Sequence, residues 1–416
     1  MTAPARLASI PGAGFLGAGS FLLIGWIGLL IPSLIRSIES AFGQDDAGIG
    51  VYYFVFAIAY AGGSLAGGLA TERLGRRVVL SSCAALMAVG LLLLAVAPSW
   101  TIFVLAALPT GLGIGALDGG GNGLFLDLFE AERGRALNLL HLCYSLGALS
   151  APLVIGRLID AQVTWQTIVL VTVIVAAVVA VLFFIVRMPS GRHGHGHAAV
   201  SEADPRAAGA QLAAGTPRAA GAPRATGAGR ISVVLVLLAI AIGCGVAAES
   251  GISNWLVRFL DPAPLSVATT GLTLFWVGLA LGRLVSARLA DRWDHRRFAL
   301  AAAAWCAIAL WIAILSPWQP VSIAFFAAAG FGIGPVYPMI MVVAGERFPG
   351  RSAAVSGSLS SAALMGTIVY PPVMGLLSVT VGLAIAMFGN GVLALACAGA
   401  LMLVGRRSLR EVAAGR

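Results

Sequence analysis

Residues 68–77 read G-L-A-T-E-R-L-G-R-R, and residues 287–296 read A-R-L-A-D-R-W-D-H-R. Each fits small-x-x-x-acid-Arg-x-x-x-Arg, and each sits between two long apolar runs. The acids are separated by 291 − 72 = 219 residues. The same offset links Pro98 to Pro317, Gly111, Gly113 and Gly115 to Gly330, Gly332 and Gly334, Gly147 to Gly366, and Gly156 to Gly375. A constant offset over most of a chain is an internal duplication, so one half is expected to repeat the fold of the other.

Composition makes the chain a membrane protein. Hydrophobic residues form 59% of its 416 residues and charged residues only 10%. Mean hydropathy is +0.96. A soluble domain has too little polar surface to cover that much apolar material. An apolar layer about 30 Å thick takes roughly 20 helical residues per crossing. Twelve runs of that length occur, from 15–38 to 380–404. The expected fold is therefore all-α, with twelve transmembrane helices in two pseudo-symmetric six-helix halves. Residues 1–188 form the first half and 231–416 the second. Residues 189–230, rich in Ala, Gly, Pro and Arg, are read as a disordered cytoplasmic linker. Its alternating His193, His195 and His197 read as low-complexity chain, since no acid or Cys stands close enough to complete a metal site.

The net charge of +9 does not describe a nucleic-acid surface. All 26 basic residues are Arg, and they concentrate in alternate loops. With the N-terminus inside, only Arg36, Arg157 and Arg258 fall outside, so both termini are expected in the cytoplasm of an inner or plasma membrane protein. The five cysteines each fall within an apolar run and lack metal-ligand spacing. No nucleophile–base pair, paired carboxylates or nucleotide loop appears, which argues against an enzyme and against ATP drive.

The two charged loops resemble the signature loop of the major facilitator superfamily, and Glu132 to Ala136 resembles its matching loop after the fourth span. The resemblance covers all twelve spans. It implies a conformational latch made by Gly68, Glu72, Arg73, Gly75 and Arg77, with Arg133 in the matching loop, and by Asp291, Arg292 and Arg296 in the second half. A carboxylate at a helix N-terminus is favourable by about 0.3–2 kcal/mol. Such a contact, made in one state only, shifts the population by that energy. Inside the spans, G-L-G-I-G-A-L-D-G-G-G-N-G (111–123), A-A-E-S-G-I-S-N-W-L (247–256), F-W-V-G-L-A-L-G-R-L (275–284) and G-F-G-I-G-P-V-Y-P (330–338) resemble the fucose–proton symporter and sodium-dependent glucose transporter branch. In that branch Asp118 and Asn122 match an acid and an Asn of the fourth span.

Only Asp118 and Glu249 among 17 acids lie well inside the spans. A mid-membrane acid costs about 2.5–3.5 kcal/mol on insertion scales, so such groups usually face a cavity. Asp118 is the candidate for solute hydroxyls, a coupling cation or a proton. Glu249, with Asn254 and Trp255 beyond it, forms a polar and aromatic set suited to a sugar; its alternative is an ion pair with Arg36 or Arg258. Arg283 either reaches the cytoplasmic surface or pairs with Asp118. Asn138, His141 and Ser145 share one helix face. Tyr337 occupies the place that repeats Asp118. The glycines around Asp118 are expected to interrupt the fourth span, and Pro335 and Pro338 the tenth. The resulting expectation is a monomeric secondary transporter in the lipid bilayer, with no cofactor and no nucleic-acid partner. It moves a small polar solute, a sugar or sugar-like compound, by alternating access coupled to a proton or sodium gradient. The alternative is a proton-coupled drug or metabolite efflux antiporter.

Overall fold

The computed structural model describes residues 12–129, 133–188, 232–261, 263–289, 292–348 and 352–413. The proposed linker lies outside them. Twelve helical stretches are long and apolar enough to cross a membrane, from Gly12–Phe42 to Leu383–Arg406. Among the described residues the chain is helical throughout its ordered elements, with no strand. In lipid every backbone N–H and C=O must be paired within the segment, and a helix does this alone.

Two spans are broken, and proline accounts for both. The first divides into Gly12–Gly28 and Leu30–Phe42. Pro32 has no N–H for the Gly28 carbonyl, four residues back. The tenth divides into Gln319–Ile333 and Val336–Arg347. Pro335 and Pro338 deprive the Phe331 and Gly334 carbonyls in the same way. The expected interruption of the fourth span does not occur: Trp100–Leu128 is one helix. Its glycines serve close packing instead. A methyl group at Gly115 would overlap the Tyr60 carbonyl, and one at Gly113 would stand 2.6 Å from the Met87 nitrogen. Small residues let backbones approach this closely, and the dispersion gained there replaces the hydrophobic drive that lipid removes.

These contacts repeat with the sequence offset. Gly115 meets Tyr60, and Gly334 meets Leu279 (279 − 60 = 219). Gly111 meets Phe56, and Gly330 meets Phe275 (275 − 56 = 219). Contacts between the halves repeat as well. Gly156 of the fifth span packs on Thr269 of the eighth, and Gly375 of the eleventh packs on Gly50 of the second (269 − 50 = 219). Each crossing exchanges the roles of the halves, which is the signature of a twofold relation.

At one end of the bundle, charged groups join the halves. Arg258 reaches Asp46 at 2.9 Å, Glu39 at 3.0 Å and Asp261 at 3.1 Å. Arg36 donates to the Val257 carbonyl at 2.7 and 3.0 Å and to the Ala263 carbonyl at 2.6 Å, and lies 3.5 Å from Asp261. The Ser378 hydroxyl bonds Asp46. Tyr53 donates to the Asn254 carbonyl at 3.1 Å. We call this the sealed end. Here three acids share two guanidinium groups, and Oε1 of Glu39 is buried without a hydrogen-bond donor.

That imbalance yields opposite expectations for two substitutions. Arg258→Met leaves two buried acids unpaired, a loss of about 3–5 kcal/mol for a broken buried pair. Glu39→Gln removes the surplus charge. Spin labels at Ser40 and Thr380, both exposed near this end, are expected to separate in the Arg258 variant and to keep or sharpen their short distance in the Glu39 variant. In the packed interior, Gly115→Val is expected to lower the melting temperature, because overpacking costs about 1–3 kcal/mol or more.

Candidate functional site

Below the sealed end the halves enclose a cavity of about 320 Å³. Ile27, Gly28, Leu29 and Ile31 at the first-span break line it, so the break opens the wall there. The first half also contributes an aromatic wall of Tyr52, Tyr53, Phe56, Tyr60 and Tyr144. The second half contributes Glu249, Ser250, Ser253 and Asn254, which share one face of the seventh helix, with Thr367 of the eleventh and Trp276 of the eighth. The Ser250 and Thr367 hydroxyls bond each other at 3.2 Å. Trp276 faces Tyr144 across the halves at 6.4 Å between ring centroids.

Glu249 lines this cavity and does not pair with Arg36 or Arg258, which are spent at the sealed end. Its partner is Arg283, at 3.7 Å. Arg283 therefore does not snorkel to the surface: its Nε donates to the Gly334 carbonyl at 3.2 Å. That carbonyl is one of those the tenth-span prolines leave without an N–H, so the broken helix creates the acceptor that positions the guanidinium. Glu249, the more buried member of the pair, is tolerated there because a charged partner holds it.

Asp118 lies one turn beyond the cavity-lining Ile114 and does not itself line the cavity. It reaches the site through Tyr60, whose hydroxyl donates to Oδ2 at 2.7 Å. The Asn122 amide donates to the Asp118 carbonyl at 3.0 Å and to Oδ1 at 3.2 Å. Both carboxylate oxygens thus accept from uncharged donors. His141 stands within Coulombic reach of Asp118 and of Arg283, and its ring meets Phe21 edge-on at 5.8 Å. Titratable groups of both halves, Asp118 and His141 of the first and Arg283 and Glu249 of the second, thus stand within Coulombic reach of one another.

Other expectations separate from the site. Trp255 is fully buried and donates to the Pro371 carbonyl at 3.1 Å, so it braces the seventh span against the eleventh rather than facing solute. Tyr337 lines a smaller space with Glu249, and its hydroxyl meets Ser360 at 3.4 Å. Asn138, Gly68, Glu72, Arg133 and Asp291 fall outside the residues whose side chains are described. Of the remaining latch groups, Arg73, Gly75 and Arg292 are exposed. Arg77 donates to the Phe184 carbonyl and lies over its ring, while Arg296 donates to the Leu401 carbonyl at 3.3 Å. Arg76, outside the expected set, pairs with Asp127. Each of these bonds stays within one half.

Sequence reasoning missed Tyr60, Tyr144, Ser253 and Trp276. The serines were legible, because Ser250 and Ser253 share the helical face of Glu249 and Asn254. Tyr60 was not, since its partner lies on another helix 58 residues away.

Comparison with known proteins places the chain. Residues 14–271 and 225–415 match the model of the Major Facilitator Superfamily. Sodium-dependent glucose transporter 1 of Rattus norvegicus is 29% identical over 155 residues, 37% of this chain and 30% of that protein. The match thus spans less than a third of that relative's length. The uncharacterized MFS-type transporter YfkL of Bacillus subtilis is 23% identical over 394 residues, 92% of this chain and 93% of that one. Among solved structures, a bacterial homologue of the human lysosomal transporter Spinster, inward-facing and unoccupied, aligns with a TM-score of 0.76 at 15% identity over 97% of this chain and 99% of that one. The xylose transporter XylE of E. coli, inward open, aligns at 0.71 and 15% identity over 94% and 95%. At these identities the solved structures speak for the fold alone. With both halves matched by the family model, this chain belongs to the Major Facilitator Superfamily and is a multi-pass membrane transporter of small molecules.

Proposed function

We propose that the chain moves a sugar or sugar-like solute by alternating access, coupled to a proton or sodium gradient. The observation that carries this reading is the cavity walled by both halves, polar on the seventh-span side and aromatic on the other. That pairing of surfaces suits a solute with hydroxyl edges and an apolar ring face. The names of two similar proteins, a sodium-dependent glucose transporter and a xylose transporter, add support.

The arginine distribution supports a reading with both termini in the cytoplasm, in which the sealed end is extracellular. In this reading the cavity exchanges solute with the cytoplasmic side while the Arg258 seal holds. Arg77 and Arg296, bonded within their own halves, are free of cross-half contacts among the described residues, as a latch that closes only the cytoplasmic side requires. Rocking about the glycine crossings would break the Arg258 ion pairs and bring the cytoplasmic loops together.

Asp118 is the coupling residue in this reading. Its carboxylate accepts bonds from Tyr60 and Asn122, so a cation or proton arriving there is felt at the cavity wall through Tyr60. In proteoliposomes, Asp118→Asn is expected to abolish gradient-driven accumulation while leaving solute counterflow largely intact. Undiminished accumulation by a properly inserted Asp118→Asn protein removes the residue from coupling. Glu249→Gln removes the carboxylate of the cavity wall and is expected to weaken both uptake and counterflow about tenfold or more, because a hydrogen bond to a charged group contributes about 1.5–3 kcal/mol.

A further inference from the structure

Two residues of the cavity wall each carry a buried polar atom that has nothing to bond. Ser253 is 5% exposed and Trp276 is 6% exposed. The Ser253 hydroxyl and the Trp276 indole nitrogen are both buried without a hydrogen-bond partner, and both residues line the cavity. A buried donor left unpaired costs about 1–3 kcal/mol. The nearby Ser250 and Thr367 hydroxyls bond each other and neither atom. Elsewhere in the core, tryptophan N–H groups find acceptors: Trp255 bonds Pro371, Trp26 bonds Thr172 and Trp311 bonds Phe388. Trp276 is therefore a departure from this chain's own pattern.

The charge of the site narrows what would complete these bonds. Glu249, the one ionisable carboxylate in the wall, faces Arg283, so their formal charges cancel. An anion would meet Glu249 and compete with it for Arg283. A cation would face the same contest in reverse. An uncharged solute disturbs neither. Indole N–H donates only, so the solute must present an acceptor to it, whereas a hydroxyl both donates and accepts.

We propose that Trp276 Nε1 and Ser253 Oγ are the specificity-determining contacts of the transported solute, an uncharged ring polyol. One ring or hydroxyl oxygen accepts from Trp276 and a second hydroxyl exchanges a hydrogen bond with Ser253. The apolar face of the ring lies on the tyrosine and phenylalanine wall. This assignment rests on the sugar-transport reading and adds to it which protein atoms read the solute.

The test is binding of D-glucose and D-xylose to the purified full chain, with their single-position deoxy and fluoro analogues, by calorimetry. Choline and lactate serve as the cationic and anionic probes. In the wild type, removal of the oxygen facing Trp276 is expected to weaken binding about tenfold or more, and its replacement by fluorine, which still accepts, to weaken it less. Trp276→Phe should weaken the parent sugar by a similar factor and bind the parent and that deoxy sugar equally well. Ser253→Ala should erase discrimination at a different position. It also carries the test if the tryptophan variant does not fold. Full retention of the wild-type discrimination by the folded variants overturns the assignment and leaves sugar transport standing. Preference for choline or lactate, or no sugar bound by the wild type, overturns both.

Discussion

Two crossings hold this transporter together. Gly375 lies on Gly50, and Gly156 on Thr269, close enough that a methyl group on either of the first two partners would collide with the facing chain. Lipid tails offer no hydrophobic reward for helix association, so the halves must gain their attraction from near contact of backbones. Small residues supply that contact, and they also leave few interlocking side chains to resist tilting. The same feature that joins the halves thus lets them move.

Movement then depends on what breaks at the ends. At the sealed end the halves share Arg258 among Glu39, Asp46 and Asp261. A seal with more acid than base is held but not locked, since Glu39 keeps one buried oxygen without a donor. At the opposite end the described arginine contacts stay within each half. Arg76 takes Asp127, Arg77 takes the Phe184 carbonyl and Arg296 the Leu401 carbonyl. Among the described residues, ion pairs thus join the halves at the sealed end and stay within each half at the other.

Proline connects this architecture to the chemistry. Pro32 opens the first span where it meets the cavity, and the tenth-span prolines free the Gly334 carbonyl for Arg283. Arg283 in turn holds Glu249, the charge in the cavity wall. A helix interruption that would be costly in open lipid is supported here because it faces protein and cavity. Under the proposed coupling, an ion at Asp118 would act on the cavity wall through the bonded Tyr60.

The amino-acid sequence by itself determined the spans, the duplication and the rarity of acids within them. Those properties are local or periodic: apolar length, a constant offset of repeated residues, and the energetic cost of charge in lipid. It also singled out Asp118, Glu249 and Arg283. It did not determine their partners. Glu249 was set against Arg36 or Arg258 as an alternative, and the glycines near Asp118 were expected to break their helix. Tertiary structure decided otherwise, because partners come from helices that pack together only in the folded bundle. The glycines meet neighbouring backbones, so their helix stays whole. Trp255 and Trp276 are residues of one type on adjacent spans. Only packing left the first with the Pro371 carbonyl and the second with a buried N–H that has no acceptor.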